Sequence, residues 1–342
     1  MEKRIEEILK HCSGVDVSGM SYEDWLEKRK SSIGGSDAGA IMGYVGKWGS
    51  PLTVFLVKKG LYIPPKEMSP AAKRGKKLEP VVRDDIIEDY PGITVEKIPY
   101  MLYHPEYPFI SANLDGVISC PAGTVIDGKA IEGIGGLEIK TSKSGYGYGD
   151  NEIPDGHYCQ VQHYMAVTGL GWFVLAVYFM EDEYEETRYY VVCRNDEFID
   201  MLIKKEAEFW RKHMETGEWP AAIGIDAEEE MVTGMFTGGD TIVFDESERE
   251  FCRKYAEAHQ KEKEAKDEKD RCSVEIKAAI VRKQSGGKEK KISAMAGKYS
   301  VSWSRFERSD IDRDALRKAG LYDQFVKKSE TGRLTVSEKK GA

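Results

Sequence analysis

Gly135-Gly136-Leu137-Glu138-Ile139-Lys140 sets a carboxylate and an ammonium two residues apart in an otherwise apolar stretch. Side chains alternate along a strand, so a strand here turns Glu138 and Lys140 to one face. Upstream, Asn113-Leu114-Asp115-Gly116 puts a second carboxylate at the end of an apolar run, with turn residues between the two segments. Charges in such settings are costly unless they are paired or hold a metal ion. A metal site and a structural ion pair both meet that condition. Hydrolysis of a phosphodiester needs a water activated at neutral pH and positive charge beside the phosphate, and one or two Mg²⁺ ions supply most of this. Hard cations take oxygen ligands, so Asp115, Glu138 and the Ile139 carbonyl would form a binding set, with Lys140 beside the reacting water. Without a cation the two carboxylates would repel each other.

Glu-x-Lys alone decides little, because Glu264-Lys266, Glu275-Lys277, Glu289-Lys291 and Glu338-Lys340 match it as solvated surface charge. The apolar strand and the aspartate upstream set Glu138-Lys140 apart. Glu79, in a basic helix, either completes the acidic set or is one more charge on an amphipathic surface. Gln160, about one helical turn from His157, His163 and Tyr164, either steers water or phosphate or is solvated. His104 is turn-placed and His163 reads as a packed helix residue, so neither is taken as a general base.

The elements around these residues follow from local signals. Residues 1–30 read as helical, with Ser21 as an N-cap. The Gly- and Ser-rich run from Ser31 leads into a small-residue helix from Asp37 to Met42, either an ordinary turn or a backbone cradle for phosphate. Ser69-Pro70 opens a helix to about Asp89, with Pro80 as a kink. Ile93–His104 and Tyr107–Ser111 alternate as a hairpin, and Val117–Ser119 continues the sheet. Asp127-Gly128-Lys129 and Gly133–Gly136 read as turns. Pro154 opens a helix to about Val167 that carries Tyr158 and Gln160. Trp172–Met180 is a nearly continuous apolar strand internal to the sheet, Glu186–Arg194 is a second strand, and Asn195 caps a helix to Glu215. Ser247–Arg282 is densely charged with sparse apolar residues, a long solvated helix or a helical hairpin. Lys298–Phe306 reads as a strand and Ile311–Phe325 as a short helix.

At 342 residues with 41% apolar content the chain can fill a sizeable core. A net charge of −9 argues against coating nucleic acid through bulk charge, although a carboxylate-based metal enzyme can be acidic while lining one cleft with Lys and Arg. The six cysteines include no C-x-x-C pair, so zinc, iron–sulfur and disulfide scaffolds are not indicated. With no long apolar run, a soluble, cytoplasmic protein without a membrane span is expected.

Five short elements occur in the order seen in YqaJ-type viral recombinase nucleases, the lambda exonuclease branch of the PD-(D/E)XK superfamily. They are Arg29 with Gly34-Gly35-Ser36-Asp37-Ala38, Gly75 with Leu78-Glu79, Asn113-Leu114-Asp115-Gly116, Leu137-Glu138-Ile139-Lys140, and Gln160-Val161-Gln162-His163-Tyr164. The chain resembles that family over roughly residues 20–215. The resemblance implies an α/β, restriction-endonuclease-like core, a mixed central sheet flanked by helices, over residues 1–240. A charged, mainly helical extension with a small strand–helix element would follow over residues 241–342. It implies metal ligation by Asp115, Glu138 and the Ile139 carbonyl with Glu79 assisting, catalysis by Lys140 with Gln160, and Mg²⁺ as cofactor with Mn²⁺ able to substitute. Arg29 and Ser36 would hold a terminal 5′ phosphate, with Asn113 and Tyr158 contacting DNA. The family degrades one strand of duplex DNA from a 5′ end and leaves a 3′ strand for an annealing protein. Its trimeric ring is put in question here by the extension. An endonuclease on the same scaffold is the nearest rival, and a DNA-binding or assembly protein acting through the charged tail is the rival of another class. The basic Lys288-Lys290-Lys291 patch in the tail points toward DNA.

Overall fold

The computed structural model describes residues 2–44, 49–64, 68–149, 152–180, 185–239, 241–284, 286, 291–326 and 334–336. Contacts divide the chain into two units, Met1–Phe236 and Thr237–Ala342. The first begins with α1 (Glu2–Ile8), β1 (Ser13–Asp16), α2 (Tyr22–Lys30), the short β2 (Ile33–Gly34), α3 (Gly35–Ile41) and α4 (Pro51–Lys58). Ser21 caps α2 by accepting the Asp24 N–H, as its type and position suggest. A strand nevertheless interrupts the helix expected over residues 1–30. Gly14 lies in β1, where an added Cβ would stand 2.9 Å from Leu9 and 3.1 Å from Leu102, so backbone and core meet too closely for a helix surface.

Next come α5 (Pro70–Asp89), β3 (Thr94–Glu96), β4 (Tyr100–Tyr103), β5 (Ile110–Ala112), β6 (Gly116–Ile126) and β7 (Lys129–Ser142). Ser69 caps α5, and the helix passes through Pro80 to Asp89. The single strand expected over Ile93–His104 breaks in two. β3 joins β6, and β4 joins β1 and β5; Pro99 between them lacks the N–H that continuous pairing needs. The unit closes with α6 (Asp155–Thr168), β8 (Trp172–Met180), β9 (Glu185–Cys193), α7 (Asp196–Phe209) and α8 (Asp226–Gly234). α7 runs on into a π-helical turn, Trp210–Glu215.

The main sheet has the order β3-β6-β7-β8-β9 and is antiparallel except for the β7–β8 pair. Val82 and Ile86 of α5 pack on one face against Ile118, Leu137, Ile139 and Val174. Val161 and Met165 of α6 and Ile199 of α7 pack on the other with Phe173. This is a mixed α/β core with helices on both faces of the sheet. β8 is internal, which explains its unbroken apolar run.

Gly133–Gly136 belongs to β7 and is not a turn. An added Cβ would lie 2.3 Å from the Trp172 ring at Gly135 and 2.1 Å from the Phe173 ring at Gly136, so the glycines let β8 lay two aromatics across β7. Gly136→Ala should therefore cost about 1–3 kcal/mol by overpacking. Urea unfolding measures this, and an unchanged midpoint would remove the packing explanation.

The second unit contains α9 (Glu246–Lys283), one uninterrupted helix and not a hairpin, followed by β10 (Lys291–Ala296), β11 (Tyr299–Ser304), α10 (Arg313–Lys318) and α11 (Tyr322–Phe325). Asp245 caps α9 with a reciprocal Glu248 bond. β10 was not anticipated from its sequence, and the helix expected over Ile311–Phe325 splits around Gly320, which has φ +67°. Of the lysines in the 288–291 patch, only Lys291 falls among the described residues.

Candidate active site

β6 reaches only as far as Gly116, which pairs with Leu137, so β7 runs beyond its neighbour at Glu138 and Ile139. There the Asp115 side chain replaces the missing strand, its Oδ2 accepting the Ile139 N–H at 2.9 Å. A residue's N–H and C=O point to the same side of a strand, so the Ile139 carbonyl faces this edge too. One residue earlier, Glu138 points to the opposite face, toward α6. Its Oε1 accepts from Lys140 Nζ at 2.6 Å and from Gln160 Nε2 at 2.6 Å. Gln160 also donates to the Tyr164 hydroxyl at 2.8 Å. Thus Asp115, Glu138, Lys140 and Gln160 converge on one corner.

The electrostatics of that corner are strained. Glu138 is almost fully buried, at 3% exposure. Burial and the neighbouring Asp115 charge outweigh Lys140 and push its carboxyl up to about 8. Burial and the charges of Glu138 and Asp115 also raise the Tyr164 phenol well above its ordinary value. Donors occupy Oε1 of Glu138 and Oδ2 of Asp115, and the second oxygen of each carboxylate is left for the other carboxyl or for a cation. Two crowded carboxylates and a strand-edge carbonyl are hard oxygen donors, and they fit Mg²⁺, which binds through few carboxylates and keeps several waters.

Glu79 does not complete a three-carboxylate cluster. Among the described residues no three Asp, Glu, His or Cys side chains stand close enough to share a metal ion. The reason is the strand alternation: Leu137 and Ile139 face α5, which carries Glu79, whereas Glu138 faces α6. Glu79 still feels this edge. Burial and the Asp115 charge raise its carboxyl above the ordinary value, against Lys97, Arg83 and Lys76. Arg83, one turn on, is 3.9 Å from Glu79 and donates to the Asp115 carbonyl at 3.3 Å.

The Arg29 guanidinium donates to Ser36 Oγ at 2.9 Å and lies over the Trp25 ring, 4.7 Å from its centroid. Below them Lys58 pairs with Asp37 at 2.7 Å, and Asp37 accepts the Gly34 N–H at 2.8 Å. Burial would raise the Asp37 carboxyl, but the Lys58 and Arg29 charges hold it below its ordinary value. The glycines of this segment have a packing role. A Cβ at Gly35 would lie 2.5 Å from the Tyr164 ring and 3.0 Å from Gln160 Cγ, and one at Gly39 would lie 3.0 Å from Gly156 Cα. α3 thus sits directly on α6, and Tyr164 with Gln160 joins the Arg29–Ser36 pair to the Glu138 corner.

Asn113 is half-buried on the segment leading to Asp115. Tyr158 is not brought to the Arg29–Ser36 pair. Two residues before Gln160 on α6, it points elsewhere, its hydroxyl accepting from Asn195 Nδ2 at 3.3 Å and its ring edge-on to Phe198. His163 is fully buried, and His104 Nδ1 accepts the Glu106 and Tyr107 N–H groups, so neither histidine reaches the corner.

Three neighbours are not among the site residues expected from sequence. Tyr164 follows Gln160 by four residues and Arg83 follows Glu79 by four, spacings that put each pair on one helix face. His157 precedes Gln160 by three residues, which carries the same signal. It stacks on Tyr148, and burial followed by the Lys140 charge lowers it to about 4, so it stays neutral beside the ammonium.

The family model described as the YqaJ-like viral recombinase domain matches residues 24–171. A protein of Bacillus subtilis (strain 168), described as uncharacterized protein YqaJ, is 30% identical over 333 residues, spanning 94% of this chain and 96% of the relative. Among solved structures, the alkaline exonuclease LHK-Exo from Laribacter hongkongensis aligns with a TM-score of 0.43 at 19% identity, covering 57% of this chain and 93% of that one. Its complex with dAMP aligns at 0.41 and 18% identity, with the same coverage.

Proposed function

The chain belongs to the YqaJ-like viral recombinase family, and on that premise we propose that it is a Mg²⁺-dependent deoxyribonuclease that degrades duplex DNA from its ends. The observation that carries this reading is the Asp115–Glu138 pair at the edge of β7, with Lys140 hydrogen-bonded to Glu138. A family relationship brings the activity to mind, and the crowded carboxylates give a physical reason for a cation.

Asp115, Glu138 and the Ile139 carbonyl would hold the ion, which when bound supplies positive charge at the scissile phosphate and lowers the pKa of water. Gln160 fixes Glu138 through Oε1, so the free oxygen keeps its direction. Lys140, two residues along β7, brings a second positive charge to the phosphate and sits where it can orient the attacking water. Tyr164 remains a neutral phenol and anchors the Gln160 amide. Glu79, on the α5 side of the edge, adds negative charge beside Asp115.

Arg29 and Ser36 offer a guanidinium and a hydroxyl 2.9 Å apart, suited to a terminal phosphate. On that basis the polarity is 5′ to 3′, and the remaining 3′ single strand would pass to an annealing protein in recombination. The test is digestion of linear duplex with Mg²⁺, using 5′- and 3′-labelled ends, against EDTA. Intact closed circles are expected; linearised circles would move the reading to an endonuclease. Ends bearing a 5′ phosphate should be cut about ten- to a hundredfold faster than dephosphorylated ends, the 1.5–3 kcal/mol of hydrogen bonds to a charged group. Arg29→Ala should erase that difference, and equal rates on both ends in the wild type would remove the phosphate role.

A further inference from the structure

Lys291 to Phe306 contains three cations, Lys291, Lys298 and Arg305, and no Asp or Glu, in a chain of net charge −9. Among the described residues none of the three is in an ion pair. The antiparallel register sets Lys291 opposite Ser304 and Ser293 opposite Ser302. One face of the hairpin therefore carries the Lys291 ammonium, Met295 and the hydroxyls of Ser293, Ser300, Ser302 and Ser304, all exposed. The other face carries Val301 and Trp303, which are half-buried. Two aromatics escape that cover. Tyr299, at the start of β11, is 64% exposed, and Phe306, just past its end, is 81% exposed. The Lys298 ammonium lies 5.4 Å from the centroid of the Tyr299 ring.

We propose that the β10–β11 hairpin with its Arg305-Phe306 exit binds single-stranded DNA, bases stacking on Tyr299 and Phe306 and phosphates meeting Lys298 and Arg305. Cations free of acidic partners suit a phosphate backbone. Exposed rings beside those cations suit unpaired bases, which have open faces to stack, whereas the bases of a duplex are stacked on each other. An acidic protein surface would match the charge but gives no reason for two solvent-facing rings. The inference goes beyond the nuclease reading and does not need it, although a single strand is what that nuclease would leave.

The experiment is fluorescence anisotropy of a labelled oligo(dT) with the full-length protein in EDTA, where no strand is cut. Wild type is compared with Lys298→Ala/Arg305→Ala and Tyr299→Ala/Phe306→Ala, all at exposed positions. Each double variant should bind about tenfold more weakly or worse, the loss of one or two stacked bases or phosphate contacts. The charge variant should also flatten the slope of log affinity against log salt by about 1.4, two contacts at 0.7 each. Unchanged binding in both variants would overturn the proposal, and so would a wild type that binds no oligonucleotide, which would leave the surface to a protein partner. Because catalysis is absent from the assay, a chain without nuclease activity could still pass it, and an active nuclease could still fail.

Discussion

Glu138→Gln is expected to lower duplex digestion by about two to four orders of magnitude while raising the melting temperature of the metal-free protein. The two effects share one cause. Glu138 is buried beside Asp115 and titrates at about 8, well above the ordinary 4.5. A carboxyl whose folded pKa is raised destabilises the protein as pH climbs. Above 4.5 the unfolded chain releases that proton freely, while the folded chain keeps it until about 8. Between those limits the native state progressively loses stability, by an amount of the order of a few kcal/mol near neutrality. The amide of the variant removes that charge. Its carbonyl can still accept from Lys140 and Gln160, and its NH₂ group can donate to Asp115. Thermal melts in EDTA from pH 5 to 8 should show the variant gaining on the wild type as pH rises. Adding Mg²⁺ or Ca²⁺ should stabilise the wild type and leave the variant nearly unmoved. Lys140→Ala is the comparator. It should lose activity to a similar degree, but without the gain, because it strips an ammonium that offsets the Glu138 carboxylate. A Glu138→Gln protein that melts lower than wild type at pH 8 would mean that the carboxylates are not in conflict, and the case for a cation there would lose its physical basis.

How much of this could be read from residues alone varies with the type of signal. The caps at Ser21, Ser69 and Asn195, the start of α6 after Pro154 and the whole of β8 follow from local chemistry, and local chemistry suffices to place them. Glycines were harder, because the same residue serves a turn, a cradle or a close approach. Gly135 and Gly136 resemble a turn until Trp172 and Phe173, far along the chain, are seen to occupy the space a side chain would need. Gly35 and Gly39 likewise resemble a loop until α6 is laid against α3. That Glu138 and Lys140 share a face was legible from strand alternation; Gln160 was tied to the site only by the resemblance, and its bond to Glu138 depends on which face α6 covers. The same alternation sends Ile139 toward α5 and leaves Glu79 on the far side of the sheet edge, but that consequence depends on which face each helix covers, and periodicity in one segment does not say. Tyr158 shows the limit in a helix. It lies two residues from Gln160, about 200° around the axis, and so it points to Asn195 and Phe198 instead of the corner.

His163→Ala should cost about 3–5 kcal/mol, the penalty for leaving a buried charge without its partner. His163 and Glu206 are both fully buried. The ring meets an acceptor at each nitrogen, Glu206 Oε1 at 2.8 Å from Nδ1 and the Ser111 carbonyl at 2.8 Å from Nε2. A neutral imidazole has one N–H to give, so only the imidazolium satisfies both. Burial alone would lower the His163 pKa, but the Glu206 charge and the bonds to Glu206 and Ser111 outweigh it, and the net shift is upward. A histidine raised in this way contributes its full stability below the unfolded value of 6.5 and loses it as pH rises through the higher folded value. For a unit of this size, a loss of 3–5 kcal/mol lowers the melting temperature by about 6–20 °C, measured near pH 6 where the pair is intact. The gap between wild type and variant should then narrow at higher pH. Glu206→Leu in the His163→Leu background should recover most of the loss, since a buried pair replaced by apolar groups of similar volume is often neutral or better. That rescue separates a lost ion pair from a simple cavity, which a second deletion would only enlarge. The consequence extends to the site, because Ser111 opens the segment that carries Asn113 and Asp115. If the pair holds that segment, the single variant should lose digestion activity along with stability and the rescued double variant should regain both; an unstable but fully active His163→Ala protein would confine the pair to the core.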